Sequence, residues 1–207
     1  MLIKEKEINN QRKLLKNENY YDDNWNQQFA LVAACINELC GAESKILEVG
    51  CGNGYLSTQL AGKYVGIDPI LHEDCADGFD FKIGVGENVP HPDNSFNLIL
   101  IKDAVNYFAD LNLIANEALR LLKKDGIVLI SEYVGPKYNP IKQYCKNIIK
   151  RYLNIGVRSW NRTYLNYYTS SDVTKVFMTY GFTAEYRYPK EDKRYYLILR
   201  KSEVDHH

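Results

Sequence analysis

The chain has 207 residues, of which 26 are Lys or Arg and 26 are Asp or Glu, so its formal net charge is zero. This length is typical of one domain with a sizeable core, and a chain without net positive charge is not expected to bind nucleic acid through its overall field. No apolar run approaches the roughly 20 residues that span a bilayer, and the first residues mix both charges without an apolar signal core. We therefore expect a cytoplasmic domain without a membrane span.

The cysteines and the C-terminus indicate no metal site. Residues 204–207 read Val-Asp-His-His and are interpreted as the remnant of a purification tag, so these histidines are not candidate ligands. An odd number of cysteines without zinc or C-x-x-C spacing favours reduced, packed thiols. The cysteines are Cys35, Cys40, Cys51, Cys75 and Cys145.

The order of the predicted elements indicates an α/β fold. Residues 1–24 are polar and predict an N-terminal arm, and apolar positions at helical spacing predict an amphipathic helix over residues 25–39. Because strands and helices then alternate, we predict a Rossmann-like, doubly wound, mainly parallel sheet whose ligands bind beyond the carboxyl ends of the strands. Strands are predicted at residues 45–49, 64–67, 79–83, 96–101 and 127–130, and helices at residues 55–61 and 111–123.

The C-terminal part predicts one more helix and two more strands. Ser170 is the predicted cap of a helix over residues 172–180, which Gly181 ends. Residues 183–188 and 195–200 predict an antiparallel pair, which brings the sheet to seven strands. One domain would then consist of an arm with a cap helix, a core, an insertion and a C-terminal part, at residues 1–40, 41–134, 135–171 and 172–201.

Residues 135–171 depart from the alternating pattern. They contain seven basic residues and not one Asp or Glu, and they are also rich in aromatic residues. Lys142, Lys146 and Lys150 share one helix face, so we predict a helical lid inserted after the fifth strand. A solvated basic helix with core tyrosines is the alternative. The basic residues are Lys137, Lys142, Lys146, Lys150, Arg151, Arg158 and Arg162, and the aromatic ones are Tyr138, Tyr144, Tyr152, Trp160, Tyr164, Tyr167 and Tyr168.

Residues 46–54, which read Ile-Leu-Glu-Val-Gly-Cys-Gly-Asn-Gly, are the most informative stretch. Glycines accept positive φ and lack a Cβ, so the chain can turn tightly off a strand and bring its backbone against a ligand. The spacing G-x-G-x-G differs from the G-x-G-x-x-G of dinucleotide-binding loops. Glu48 sits within the apolar strand, and a buried carboxylate there requires a cationic or hydrogen-bonding partner.

This stretch resembles the class I S-adenosylmethionine-dependent methyltransferases. Residues 64–69, Tyr-Val-Gly-Ile-Asp-Pro, are similar to the family's second strand, and residues 86–97 to the loop that leads into its fourth strand in small-molecule enzymes such as the quinone-biosynthesis methyltransferases. Residues 115–130 resemble the next helix, turn and fifth strand. The resemblance covers roughly residues 40–133.

The resemblance implies S-adenosyl-L-methionine as cofactor, with S-adenosyl-L-homocysteine as product. Glu48 would hold the amino-acid end of the cofactor, and Asp68 would accept both ribose hydroxyls, since a carboxylate offers two oxygens to a diol. Tyr21, with Tyr20 and Trp25, would cover the pocket from the N-terminal side. The other implied contacts are Gly50, Cys51, Gly52, Gly54, Pro69, Gly86, Glu87, Ile101 and Lys102.

Two positions depart from the family or stay open. The family often places an Asp where this chain has Val85, so we expect the backbone of Gly86 and Glu87 to read the adenine edge, with Val85 or Ile83 packing nearby. Lys102 would lie beside the methionyl part of the cofactor or be a solvated cation.

Three residues are candidates for acceptor chemistry. Asp103 follows the fourth strand and is the first candidate for orienting or deprotonating the acceptor. His91 and Tyr107 are the next candidates. An imidazole titrates near neutrality and therefore suits a proton acceptor, although a loop histidine without a role is the alternative for His91. The sequence lacks the motifs of amino-purine and cytosine methyltransferases, which argues against base methylation.

These features together predict methyl transfer to an oxygen or nitrogen of a small aromatic or anionic metabolite. The lid composition favours such an acceptor, because tyrosines supply stacking area and cations bind carboxylate or phosphate. An RNA or protein methyltransferase is one alternative, because basic residues among aromatics also suit single strands. A non-catalytic cofactor-binding interaction module is another. No oligomeric state is predicted.

Overall fold

The computed structural model describes residues 23–71, 75–133, 168–188 and 194–202. These residues form helices, two short 3₁₀ segments and one sheet. The helices are α1 (Asp23–Leu39), α2 (Leu111–Leu121) and α3 (Ser170–Thr179), and the 3₁₀ segments are Tyr55–Gln59 and Val105–Tyr107. The strands are β1 (Lys45–Val49), β2 (Lys63–Asp68), β3 (Asp80–Ile83), β4 (Phe96–Lys102), β5 (Leu122–Tyr133), β6 (Phe182–Arg187) and β7 (Arg194–Lys201).

The sheet has seven strands in the order β3-β2-β1-β4-β5-β7-β6. Strands β1 to β5 pair in parallel, whereas β7 is antiparallel to both β5 and β6. The order reverses between β1 and β4, which is the switch point where open α/β sheets bind ligands. The predicted fold class, including the antiparallel last pair, is confirmed.

The two faces of the sheet carry separate apolar cores. On one face, α1 buries Phe29, Val32, Ala33 and Ile36, whose spacing places them on a single stripe of the helix. On the other face, α2 and α3 pack against the alternate residues of the central strands. Burying one such aliphatic side chain stabilises the fold by roughly 1.5–3 kcal/mol, so each helix is held mainly by its apolar face.

Three local predictions were wrong. The helix after Gly54 is only a five-residue 3₁₀ segment, because Leu60 is extended and β2 already begins at Lys63. Helix α2 ends at Leu121, since Leu122 is buried and starts β5 opposite Phe96, ahead of a register shift. The N-cap of α3 is Thr169 rather than the next residue.

The cap of α3 is a capping box. The Thr169 hydroxyl accepts from the amide of Asp172, and the Asp172 carboxylate accepts from the amide of Thr169. A capping box satisfies two backbone donors at once, which explains why Thr169 is preferred over Ser170 one residue later. Gly181 ends the region with φ 80°, as predicted.

Several predicted features lie outside the described residues. They include the arm up to residue 22 with Tyr20 and Tyr21, and the predicted lid except for residues 168–171. In the part of the chain that is described, no helix has both the length and the apolar character needed to cross a membrane. The described ranges also hold no cluster of three or more His, Cys, Asp or Glu side chains suited to a metal ion.

Candidate active site

The glycine loop after β1 has the conformation that its sequence predicts. Gly50, Gly52 and Gly54 have φ values of 78°, 57° and 71°, a region that other residues rarely adopt. The amides of Gly50 and Cys51 both donate to the carbonyl of Ile67, at 2.8 and 3.2 Å, so the loop folds back onto the end of β2. The loop backbone therefore stands at the carboxyl edge of the sheet beside β2.

Side chains around the loop are packed inward. A Cβ on Gly54 would lie 2.1 Å from the ring of Phe79, and one on Gly66 would lie 2.6 Å from Sγ of Cys51. Cys51 is buried, and burial raises the pKa of its thiol. At Cys51, only the backbone is therefore available to a ligand.

Asp68 at the end of β2 joins the loop to the next turn. Its Oδ2 accepts from the amide of Gly52 at 3.0 Å, and its Oδ1 accepts from the amide of Ile70 at 2.9 Å. Burial raises the pKa of Asp68 to about 6, although both amides favour the carboxylate. Each carboxylate oxygen can accept more than one hydrogen bond, so a diol can still bind the oriented group. Pro69 is partly buried between Asp68 and Ile70.

Glu48 has the partners that its buried position requires. It is 3% exposed, and its Oε2 accepts a hydrogen bond from the hydroxyl of Tyr64. Burial raises the pKa of Glu48 to about 7, whereas the Tyr64 hydrogen bond and the nearby Lys102 act in the opposite direction. A ligand ammonium group beside Glu48 would supply the charge that favours its ionised form.

Lys102 and Arg194 form a buried network with Asp103. Lys102 Nζ lies 2.7 Å from Asp103 Oδ2, and Arg194 Nη1 lies 2.6 Å from Asp103 Oδ1. Both cations also reach α1: Arg194 Nη2 donates to Gln28 at 2.6 Å, and Lys102 Nζ lies 4.7 Å from the ring centre of Phe29. Lys102 is 6% exposed, so the alternative of a solvated cation is wrong.

The network favours one of the two roles predicted for Asp103. Burial alone would raise the pKa of Asp103, but Lys102 and Arg194 outweigh it and hold the pKa below its usual value. A carboxylate with a low pKa is a weak proton acceptor. Asp103 also has φ 53°, in the left-handed region, so the chain turns sharply there. If Asp103 acts on an acceptor, its low pKa favours orientation of that acceptor over its deprotonation.

The loop after β3 approaches β1 closely. A Cβ on Gly86 would lie 2.4 Å from Cγ1 of Val49. Glu87 Oε1 accepts from the amide of Ala109 at 2.9 Å, so this carboxylate braces the loop after β4. Ile83, which is opposite Asp68 in the β2–β3 register, is exposed. The expected adenine contact thus rests on the loop backbone and an apolar side chain rather than on a carboxylate.

His91 does not belong to this site. Its ring contacts Phe96, the first residue of β4, with centroids 5.0 Å apart, and its carbonyl accepts from Arg120 at 2.7 Å. Asp103 follows the other end of β4, which is about 20 Å away at 3.3 Å per residue. Burial, followed by Lys45, lowers the pKa of His91. The prediction of His91 as a catalytic residue was wrong, because the loop before β4 lies at the amino edge of the sheet.

The other candidates lie at or near the carboxyl edge. Tyr107 ends the 3₁₀ segment that follows β4, and its neighbour Asn106 accepts from the amide of Tyr168 at 3.0 Å. The side chain of Ile101 is buried in the core on the α2 side, so a ligand can contact only its backbone. Tyr21 lies outside the described residues.

Two further residues at this edge were not predicted from the sequence. Glu132 near the end of β5 shows the same signal as Asp68 and Asp103, a carboxylate at the end of a buried strand, and could have been found in that way. Arg194 has no such signal, because its partner Asp103 is 91 positions away in the chain.

Comparison with known proteins gives the family of the chain. The family model described as "Methyltransferase domain" matches residues 41–178, about two thirds of the sequence. The chain belongs to this methyltransferase family. The match confirms the resemblance seen in residues 46–54 and in the downstream strands.

Individual methyltransferases resemble the chain at low identity. The uncharacterized methyltransferase YcgJ of Bacillus subtilis is 25% identical over 122 residues, covering 53% of this chain and 48% of that protein. Its crystal structure has a TM-score of 0.66 over 86% of this chain and 100% of that chain, at 17% identity, which supports the same fold.

Two relatives carry names that state a biosynthesis or an acceptor. The ubiquinone biosynthesis O-methyltransferase of Azorhizobium caulinodans is 26% identical over 135 residues, covering 57% of this chain and 52% of that protein. The phosphoethanolamine N-methyltransferase of Triticum aestivum is 28% identical over 122 residues, with 52% and 24% covered. The match thus spans about half the length of each bacterial relative and about a quarter of the plant one.

Proposed function

We propose that the chain transfers a methyl group from S-adenosyl-L-methionine to an oxygen or nitrogen of a small aromatic or anionic metabolite. One observation carries the proposal: the positive-φ glycine loop is joined to Asp68 by a hydrogen bond from the amide of Gly52, beside the buried Glu48. A backbone loop, a carboxylate for a diol and a carboxylate for an ammonium group then share one edge of the sheet.

The residues present fit this cofactor. Glu48, with its pKa raised to about 7, gains from an ammonium group placed beside it. Asp68 is oriented by two backbone amides and retains acceptor capacity. Because Gly86 approaches Val49 too closely for a Cβ, the next loop can come near the same ligand. When bound, the cofactor supplies an already electrophilic methyl group, so the protein must bind and orient the acceptor.

The acceptor side is supported by the end of β4 and its neighbours. Asp103 is held by two cations in a fixed orientation, and Tyr107 lies in the loop that follows. Relatives named for ubiquinone biosynthesis and for phosphoethanolamine are consistent with a small acceptor. Zero net charge makes nucleic acid a poorer candidate.

Calorimetry with S-adenosyl-L-homocysteine tests the cofactor. We expect a dissociation constant in the micromolar range, which corresponds to about 8 kcal/mol. A protein that binds NAD but not S-adenosyl-L-homocysteine would contradict the proposal.

Transfer itself is tested with tritiated S-adenosyl-L-methionine and a set of small acceptors, including 3,4-dihydroxybenzoate and phosphoethanolamine. Label in at least one small molecule supports the enzyme. Tight cofactor binding with no label in small molecules, RNA or protein would favour the non-catalytic module.

A further inference from the structure

Glu132 occupies a distinct position at the carboxyl edge of the sheet. It follows Ser131, which pairs with Lys102 of β4, and it lies directly opposite Tyr195 of β7. Neighbouring strands are about 4.8 Å apart, so the end of β5 is roughly 10 Å from the end of β1. A small molecule bound next to the glycine loop, across β4, would reach Glu132.

One oxygen of this carboxyl group is available. Glu132 Oε1 accepts from the amide of Val105 at 3.0 Å. Within the ranges that the structure describes, Oε2 makes no hydrogen bond. The backbone after β4 therefore fixes the orientation of the group and leaves its second oxygen for another partner.

Tyrosines form the surface beside Glu132. Tyr195 is the cross-strand neighbour of Glu132, and such pairs share a face with Cβ atoms about 5 Å apart. The ring of Tyr186 lies 6.1 Å from that of Tyr195 and is stacked with Tyr188, also at 6.1 Å. The hydroxyl of Tyr186 donates to the carbonyl of Ser170 at 3.1 Å, which fixes the ring. Tyr188 is 63% exposed, so the surface opens to solvent.

The nearby cations already have partners. Lys102 and Arg194 lie on the α1 side of the sheet, where they hold Asp103 and reach α1. Burial, followed by the charge of Asp103, raises the pKa of Glu132 to about 8, although Arg194 and Lys102 act in the opposite direction. The two cations thus form their ion pairs with Asp103 and not with Glu132.

We propose that an aromatic amine binds at this edge, with its ammonium group on Oε2 of Glu132 and its ring against Tyr186, Tyr188 and Tyr195. An ammonium donor forms a strong hydrogen bond with a carboxylate, and aromatic faces attract cations as well as rings. The inference rests on the proposed function. It narrows the acceptor from an aromatic or anionic metabolite to an aromatic amine.

The test uses the full chain saturated with S-adenosyl-L-homocysteine and three probes of similar shape. Tyramine carries an ammonium group, 4-ethylphenol has no charge, and 4-hydroxyphenylacetate carries a carboxylate. By calorimetry we expect tyramine to bind at least tenfold more tightly than either of the others. Glu132→Gln, which keeps an oxygen for Val105, should remove this preference. Glu185→Gln, on the other face of β6 and paired with Arg187, is the matched control and should retain it.

A second readout separates binding from a structural role. At pH 7 the free Glu132 is mostly protonated, and an ammonium ligand favours its ionised form, so tyramine binding should release a proton. Titrations in buffers with different ionisation heats measure this release, which Glu132→Gln should abolish. Tyr188→Leu changes an exposed residue and should weaken tyramine and 4-ethylphenol alike, so the subsite can be tested even if the Glu132 variant does not fold.

Several outcomes would overturn the inference. One is that 4-hydroxyphenylacetate binds more tightly than tyramine. Another is that the Glu132→Gln variant still prefers tyramine. The third is that no probe binds to a protein that binds S-adenosyl-L-homocysteine. The titration with S-adenosyl-L-homocysteine, which comes before the probes are added, shows whether this compound itself binds. Its failure to bind is therefore seen separately. That result counts against the proposed function and is therefore distinguished from failure of the amine subsite.

Discussion

Arg194 Nη1 donates to Oδ1 of Asp103 at 2.6 Å, which joins the first residue of β7 to the turn after β4. Arg194 is 4% exposed, and Lys102 holds the other oxygen of Asp103. The pair therefore joins the antiparallel strand β7 to the candidate acceptor site.

Breaking this pair should destabilise the fold. Arg194→Met leaves Asp103 with one cation fewer, and breaking a buried pair costs about 3–5 kcal/mol. We expect the free energy of unfolding in urea to fall by roughly 3 kcal/mol. The double variant with Asp103→Asn should lose less than the sum of the single changes. Arg187→Met, which removes two more exposed ion pairs, with Glu185 and Glu38, is the control and should cost no more than about 1 kcal/mol.

Asp68→Asn should weaken the binding of S-adenosyl-L-homocysteine. The change removes the charge from the group that we assign to the ribose diol, and charged hydrogen bonds contribute roughly 1.5–3 kcal/mol. Calorimetry measures the loss, with Asp80→Asn at an exposed position of β3 as the control. Equal affinity of the Asp68 variant and the unmodified protein would remove Asp68 from the site.

Cofactor affinity should depend on pH. The pKa values of Glu48 and Asp68 are raised to about 7 and about 6, mainly by burial. Because the cofactor would bind the ionised carboxylates, we expect the affinity for S-adenosyl-L-homocysteine to fall as the pH is lowered from 8 to 5.5. Calorimetry across this range checks it, and Glu48→Gln should flatten the upper part of the curve. An affinity that does not change with pH would contradict both assignments.

The same shift affects stability with a defined sign. The folded pKa of Glu48 lies above its usual 4.5, so its contribution to stability is fully present below that pH and is lost as the pH rises to about 7. The loss is at most roughly 3 kcal/mol, from 1.36 kcal/mol per pKa unit. Urea denaturation should therefore show that Glu48→Gln becomes more stable relative to the unmodified protein between pH 5 and pH 8. A relative stability that stays constant would show that Glu48 does not titrate in this range.

Deleting residues 1–22 should weaken cofactor affinity and leave the melting temperature nearly unchanged. The cut falls just before α1, which begins at Asp23, so the helix and its buried face are retained. The prediction comes from Tyr20 and Tyr21, which are expected to cover the pocket together with Trp25. Calorimetry and thermal melting measure the two effects, and unchanged affinity would show that the arm does not contact the cofactor.

The triple variant of Lys142, Lys146 and Lys150 to alanine should change acceptor turnover without changing cofactor affinity. A small acceptor would engage only one or two of these cations, whereas nucleic acid would engage many and its affinity would fall steeply with salt. We also expect weak RNA binding by the unmodified protein at physiological salt. Tight, salt-sensitive RNA binding that the triple variant abolishes would favour the RNA methyltransferase.

Local sequence patterns were sufficient for most of the fold. The strands predicted at residues 45–49 and 195–200 were recognised from patterns of adjacent residues. Their bounds agree with those of β1 and β7 to within one residue. The helix predicted after Gly54 failed because the chain must reach β2 within eight residues, which is a constraint on distance rather than on local preference.

The sequence by itself determined the edge of the sheet at which we propose that the cofactor binds. The glycine loop follows β1 and Asp68 is the last residue of β2, and parallel strands bring their carboxyl ends to the same edge. Only the tertiary structure excluded His91, because the loop before β4 lies at the opposite edge. Likewise, only the tertiary structure placed Arg194 beside Asp103. Long-range packing brings these two charges together, and no local pattern in the sequence indicates that they are partners.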